Sequence, residues 1–280
     1  TPKLPTVFNR LSHHLARQLM WQGFRSADGI ARKEALNIPS APFLGPYDSR
    51  STNNMPVLYG FSPSVISTPS DWNGNTHITG YWFIDETDDW QPPVALLDFL
   101  KSGPPPLYIG FGSMSNRNPE QTADLVIQAL AMTNQRAILL SGWSGLQKTN
   151  VPDSILMVDS IPHSWLFPRV SAVIHHGGAS TVAAGLRAGV PSIIIPFFGD
   201  QPFWGQRIAD LGVGTKPIPR KKLTAEKLAN AIREVVTNQE MRQRAEKLGK
   251  QIQSENGIKS AVEIFNKLEQ QLPNKASKGN

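Results

Sequence analysis

The segment Ala172-Val173-Ile174-His175-His176-Gly177-Gly178-Ala179-Ser180-Thr181 runs on without interruption to Ala188. It passes from a short apolar run through two glycines into an alanine-rich stretch. A run this short, closed by glycines, reads as a buried strand, and Ala179 to Ala188 reads as the helix that follows. The same alternation recurs on both sides. Leu107 to Phe111 reads as a strand and about Pro119 to Met132 as a helix. Ala137 to Leu140, Ile155 to Val158 and Ser192 to Ile195 read as further strands, the last followed by a helix from about Gln201 to Leu211. Short continuous apolar runs separated by amphipathic helices mark a parallel sheet covered on both faces. The predicted class is therefore α/β, doubly wound, and in such sheets a ligand sits at the carboxyl ends of the strands.

Outward from this centre, three helices are predicted at about 224–236, 239–253 and 258–271, and Pro273 ends the last of them. That last helix puts Ile258, Val262, Phe265 and Leu268 on one face. Toward the N-terminus, residues 8 to 36 read as helix. Gly23 and Gly29 weaken its middle, so that two shorter helices fit the pattern as well as one. Val57 to Tyr59 suits a short strand, and from Ser62 to Asn75 the composition turns to Ser, Pro, Asn and Gly, the chemistry of a linker. A domain boundary is expected there.

The length of 280 residues suits roughly two domains at ~150 residues each. With 40% hydrophobic and 18% charged residues the chain is of globular composition, which excludes disorder throughout. The longest apolar run, Val190 to Phe198, is broken by Pro191 and Pro196 and falls well short of the ~20 residues of a membrane span. No cysteine is present, which excludes disulfides, cysteine catalysis and thiolate metal sites and fits a cytoplasmic protein. The net charge of +6 is uneven: 14 basic and 15 acidic residues fall in 1–215, against 14 and 7 in 216–280. A basic end of this kind suits an anionic surface, yet its charges are spaced along amphipathic segments, as on solvated helices. Without interleaved aromatics it does not point to nucleic acid.

Three strand-end loops have the composition of a binding site. Gly110-Phe111-Gly112-Ser113-Met114 combines glycines that admit a close ligand with the Ser113 hydroxyl, although Ser115 interrupts a full dinucleotide fingerprint. His175 to Thr181 opens a helix, so its free backbone N–H groups stand at the positive end of the macrodipole, where a diphosphate is well held. The adjacent His175 and His176 point to opposite sides of a strand, one toward the anion and one toward the core, and do not make a metal site. Pro196 to Gln201 brings the acceptors of Asp200 beside the mixed donor and acceptor of Gln201, a pair suited to vicinal sugar hydroxyls. Asp200 equally suits a plain helix N-cap. Asp200 lies 24 positions beyond His176, and together the loops imply a nucleotide-sugar donor. The acidic group Asp85, Glu86, Asp88 and Asp89 reads as surface rather than as a glycosidase pair.

Ile161-Pro162-His163-Ser164-Trp165-Leu166-Phe167-Pro168, His175-His176-Gly177-Gly178, Leu186-Arg187-Ala188-Gly189-Val190-Pro191 and Pro196-Phe197-Phe198-Gly199-Asp200-Gln201 together resemble the donor-binding signature of family 1 glycosyltransferases of GT-B fold. More narrowly they resemble those of sterol 3-beta-glucosyltransferases of fungi and bacterial relatives. Thr79-Gly80-Tyr81-Trp82-Phe83 and Tyr108 to Ser113 add to the likeness, which extends over about 8–270. The resemblance implies a Rossmann-like donor domain at 73–256, a preceding remnant of the acceptor-binding domain with a linker at 1–72, and a C-terminal helix and tail at 257–280 that pack back on the acceptor domain. It implies that Ser113, His175, Gly177, Gly178, Ser180 and Thr181 hold the diphosphate of UDP-glucose. Ile161 would meet uracil through its backbone, with His163 beside the nucleoside. Asp200 and Gln201 would bind glucose hydroxyls and Trp143 would lie near the donor cleft. Ser160 and Ala183 stand where plant members carry a stacking Trp and a ribose-binding Glu.

The implied reaction is an inverting, metal-independent transfer of glucose to the hydroxyl of a sterol or similar lipid alcohol, with no cofactor beyond the donor substrate. A general base deprotonates the acceptor while the helix N-terminus steadies the departing diphosphate. In the family the base is a histidine early in the N-terminal domain, a stretch with no counterpart here; His13 and His14 do not match it. The alternative is a donor-binding half, or a non-catalytic nucleotide-sugar module, that another chain completes. The expected setting is cytoplasmic, with peripheral contact to an anionic membrane through 216–280.

Overall fold

The computed structural model describes residues 6–46, 56–70, 72, 74–84, 90–112, 119–141 and 151–271. It divides into two compact units, 1–57 with 73–77, and 58–72 with 78–280.

The larger unit is built on five strands, β3 (Leu107–Gly110), β4 (Ala137–Leu140), β5 (Ile155–Val158), β6 (Ala172–His175) and β7 (Ser192–Ile194), all parallel in the order β5-β4-β3-β6-β7. The chain adds strands outward from β3 to β5 and then returns to lay β6 on the other side of β3, so the strand order reverses between β3 and β6. A crevice opens at such a reversal. The register puts Gly110 opposite His175, and His175 opposite Ile194, so the loops after β3, β6 and β7 leave the sheet at one level.

Both faces are buried, as continuous apolar runs require. Leu107 and Ile109 point to one face, where α3 (Pro119–Thr133) packs on α7 (Ala225–Thr237) through Val126, Leu130, Leu228 and Ile232. Tyr108 and Ile138 point to the other, under α4 (His163–Leu166) and the 3-10 turn Phe167–Arg169. There α5 (Ala179–Ala188), α6 (Gln201–Asp210) and α8 (Gln239–Ser254) also pack, through Val182, Leu186, Ile208, Leu248 and Ile252. The helix α5 stops at Gly189, whose φ of 71° is the left-handed conformation that ends a helix at little cost for glycine. A further helix, α2 (Val94–Lys101), was not evident from the sequence: it is two turns long, too short for its period to stand out. The final helix, α9 (Gly257–Gln271), leaves Ile258, Val262 and Phe265 exposed.

Of the segment read as a linker, the part up to Trp72 clusters with the sheet unit. Val65 is buried among Val182, Leu186 and Ile208, and Arg207 Nε donates to its carbonyl at 2.5 Å. Ser62 Oγ donates to Glu255 Oε1 at 2.6 Å. Val65, with Phe61 and Ile66 packed on the same cluster, and these side-chain bonds fasten a stretch whose composition is that of a loop.

In the smaller unit, α1 (Thr6–Glu34) is a single helix that runs through Gly23 and Gly29. The chain returns along it, fastened where Trp21 Nε1 and Gln22 Nε2 each donate to the Phe43 carbonyl at 2.9 Å. Leu11, Leu15 and Leu19 are exposed. The short strands β1 (Val57–Tyr59) and β2 (Thr76–Ile78) form a two-stranded sheet. Among the described residues no helix is long and apolar enough to cross a membrane.

Candidate functional site

The three loops singled out by composition emerge side by side from β3, β6 and β7. Each is shaped by a different device.

The loop after β6 is made of main chain. His175 ends the strand fully buried, and its Nδ1 accepts the Gly177 N–H at 3.2 Å. Gly177 takes φ +92°, and a Cβ there would stand 2.7 Å from Ile194 Cγ2 and 3.2 Å from the Gln201 carbonyl oxygen. Only glycine satisfies both the dihedral and the space. Gly178 caps α5 without a side chain, and helix geometry leaves the N–H groups of the first turn without intrahelical acceptors. Ser180 is exposed there, while Thr181 is buried.

The two histidines part as strand alternation requires, but it is His175 that enters the core. The resemblance places His175 on the diphosphate; in the fold the ring has no exposed surface and its Nδ1 is bonded to the Gly177 N–H. Burial first, and then the neighbouring His176 and His163, push the His175 pKa down to about 3, so the ring is neutral. His176 is half-buried at the mouth, its ring between Gly112 and Gly178: a Cβ on Gly178 would stand 2.5 Å from His176 Nε2 and one on Gly112 3.4 Å from Cε1. Burial lowers the His176 pKa, and the Asp200 carboxylate opposes that shift.

The loop after β7 is made of side chains. Gln201 is buried, and its Oε1 accepts the N–H groups of Phe197 at 2.7 Å and Phe198 at 3.2 Å. The amide expected to read sugar hydroxyls thus has its oxygen committed to the loop itself. Asp200 stands at the N-cap position of α6 but makes no side-chain cap bond. Its Oδ2 instead accepts Trp204 Nε1–H at 2.8 Å, and the residue remains exposed. Trp204 lies one helical turn beyond Asp200, a spacing that could have revealed the pair in the sequence.

At the other end, Ile161 is buried and His163 half-buried. The His163 ring stacks on Phe167, with centroids 4.4 Å apart and an 18° tilt, and its Nε2 lies 3.2 Å from Tyr108 Oη. Burial lowers the His163 pKa and pushes that of Tyr108 up to about 12, so both are neutral near pH 7. Nothing in the sequence announces this pair, whose members are 55 residues apart. A cavity of about 530 Å³ beside His163 is lined by Phe83, Ser164, Ala184 and Arg187 among others. Beyond β4 and β5, Ser141 Oγ donates to Asp159 Oδ1 at 2.6 Å. Ser113 and Trp143 lie outside the described residues, as do Asp85, Glu86, Asp88 and Asp89.

The arrangement offers backbone donors and a helix N-terminus for an anion, an exposed carboxylate held by an indole, and a cavity beside a neutral imidazole. Known proteins resemble this chain in sequence and in fold. Sterol 3-beta-glucosyltransferase UGT80A2 of Arabidopsis thaliana is 39% identical over 257 residues, covering 91% of this chain and 40% of the relative. The sterol 3-beta-glucosyltransferase of Cryptococcus neoformans is 36% identical over 287 residues, covering 94% of this chain and 18% of the relative. The chain thus spans two fifths or less of the curated relatives named here.

Among solved structures, the glycotransferase of kitacinnamycin superposes with a TM-score of 0.65 at 16% identity, over 94% of this chain and 63% of that one. The calicheamicin glycosyltransferase CalG4 superposes at 0.62 and 20% identity, over 78% and 55% of the two chains. At these identities the likeness speaks for the fold, which is that of GT-B glycosyltransferases. The family model described as erythromycin biosynthesis protein CIII-like, C-terminal domain, matches residues 123–270. Since that match takes in more than half of the sequence and all three loops lie within or against it, the chain belongs to the erythromycin biosynthesis protein CIII-like C-terminal glycosyltransferase family.

Proposed function

We propose that this chain carries the donor-binding part of an inverting UDP-glucose-dependent glycosyltransferase whose acceptor is the hydroxyl of a sterol or similar lipid alcohol. The observation that carries the proposal is the common level at which the loops after β3, β6 and β7 leave the sheet. An anion cradle and a sugar-reading carboxylate are thereby set side by side. The sterol 3-beta-glucosyltransferases to which the chain is similar support the choice of hexose and acceptor.

In this reading the diphosphate lies on the N–H groups from Gly178 to Thr181, with the Ser180 and Ser113 hydroxyls beside it. His175 acts by fixing Gly177. Asp200 accepts from glucose hydroxyls through the lone pairs that Trp204 leaves open. Gln201 contributes chiefly by holding the Phe197–Phe198 backbone under Asp200. His163 flanks the nucleoside, Ile161 meets the base through its main chain, and Trp143 borders the cleft. As the C1–oxygen bond to UDP breaks, charge grows on the diphosphate, and dipoles already aimed at it stabilise the transition state without rearrangement. A group outside these loops takes the proton of the acceptor hydroxyl. Residues 1–72 and 257–280 complete or adjoin the acceptor side. The setting is cytoplasmic, and the basic segment 216–280 rests on anionic lipid.

Calorimetric titration of the chain with UDP-glucose and with UDP, on the native sequence and on Asp200→Ala, tests this. The expected result is binding of both ligands by the native chain and a loss confined to UDP-glucose in the variant. If neither ligand binds the native chain, the donor reading fails. Equal loss of UDP and UDP-glucose in the variant would remove Asp200 from the sugar.

A further inference from the structure

A second concavity, of about 360 Å³, opens at the N-terminal end of α5 within the sheet unit. Phe61, Tyr81, Trp82, Phe83 and Trp204 wall it, with Ser180 at its edge. Three physical features mark it as made for a ligand. The first is its location: Ser180 belongs to the anion-binding turn, and Trp204 is the indole that holds Asp200 at 2.8 Å.

The second is preorganisation. Trp82 is 50% exposed, yet it is not loose, because its Nε1 donates to Thr79 Oγ1 at 2.8 Å. Its ring lies flat against Gly60, where a Cβ would stand 3.1 to 3.4 Å from three ring carbons. Holding a large aromatic surface open to solvent in one orientation reduces the ordering cost of binding.

The third is the polar inventory. The indole N–H of Trp204 is committed to Asp200 and that of Trp82 to Thr79. The Tyr81 hydroxyl is buried out of reach of a ligand. The exposed hydroxyl of Ser180 is what remains among the polar side chains of the walls. A hexose or ribose would leave most of its hydroxyls without partners in such a pocket, at a cost in desolvation. A flat apolar ring carrying one hydroxyl suits it, since aromatic walls favour extended apolar faces and the single polar group is met at the end nearest the donor.

We propose that this pocket is an acceptor subsite. It takes the hydroxyl-bearing ring end of a rigid, single-hydroxyl lipid alcohol and delivers that hydroxyl beside Ser180. The inference rests on the glycosyltransferase reading above and adds to it the residues that select the acceptor.

The test is a titration of the whole chain into dehydroergosterol delivered from cyclodextrin, read by the fluorescence anisotropy of the sterol. Calorimetry with UDP-glucose runs in parallel on each protein. Native chain, Trp82→Ala and Gly60→Val are compared, the last displacing the Trp82 ring while keeping the indole. Saturable sterol binding by the native chain is expected, weakened at least tenfold in both variants, with UDP-glucose affinity changed less than twofold. Absence of saturable sterol binding, or binding that neither variant weakens, overturns the subsite even when UDP-glucose binds. Variant-sensitive sterol binding without any UDP-glucose binding leaves the pocket standing and sinks the donor reading instead.

Discussion

The loops after β6 and β7 lie side by side and are built on opposite principles. From His175 to Thr181 the working surface is backbone: one glycine with φ +92°, a second whose missing Cβ makes room for the His176 ring, and the unpaired start of a helix. From Pro196 to Gln201 the working surface is side chain: Gln201 gathers two backbone N–H groups, and Trp204 aims Asp200. The first kind of site tolerates almost any change of side-chain chemistry and almost no change of shape. The second kind separates its parts, so that one residue can be lost without its neighbour.

The sharpest way to break this contrast is Gly177→Val. A β-branched residue in left-handed backbone costs ~1–2 kcal/mol, and overpacking against Ile194 adds ~1–3 kcal/mol. Urea denaturation should show the combined loss, and UDP binding should disappear with it. A variant as stable as the native chain would mean that the loop has other shapes available.

In the β7 loop the two neighbours should behave differently. Asp200→Ala should lower UDP-glucose affinity about 10- to 100-fold, the worth of a hydrogen bond to a charged group, with little change in UDP affinity and a loss of ~1 kcal/mol in stability as the Trp204 N–H loses its acceptor. Gln201→Leu leaves the Phe197 and Phe198 N–H groups without their acceptor, so stability should fall by ~1–3 kcal/mol and sugar affinity with it. Matching denaturation curves for native chain and Gln201→Leu would show that the amide serves the ligand and not the loop.

Acid should act on the β6 loop through His175. Its pKa is held at about 3 in the fold against 6.5 in the open chain, so the unfolded state binds the proton first. The stability that neutral His175 contributes is complete above pH 6.5 and is lost as pH falls from there toward 3. His163 and His176, also lowered, act in the same direction. The slope for one proton is at most ~1.4 kcal/mol per pH unit. His175→Gln keeps an acceptor for Gly177 and should flatten the pH dependence of the unfolding midpoint.

The smallest effect belongs to Ser180→Ala. If main-chain N–H groups carry the anion, UDP affinity should fall less than about fivefold, under ~1 kcal/mol. A loss of 100-fold would turn the β6 loop into a side-chain site and dissolve the comparison.

Local pattern carried much of this. The run Ala172 to Ile174 before two glycines, and its counterparts at Leu107, Ala137, Ile155 and Ser192, are legible as strands because burial on both faces leaves them almost wholly apolar, with Ser192 the polar exception. The three loops are legible because glycines and helix starts stand in fixed relation to those strands. The role of Val65 was hidden, since a lone valine in a Ser- and Pro-rich stretch carries no period. The choice between His175 and His176 was equally hidden. Alternation says that the two diverge, but which side is core depends on the helices laid over each face.

The sequence by itself thus determined the α/β class, the strand-end placement of the candidate loops and the residue types from which they are made. Those follow from periodicity and from the special backbone freedom of glycine, which are local. Tertiary structure alone decided that His175 is core and His176 mouth, that Gln201 staples the loop while Asp200 remains open, and that Trp82 and Trp204 meet at one pocket. Each depends on groups brought together from separate elements, and contact across the fold, unlike period along the chain, is written only in three dimensions.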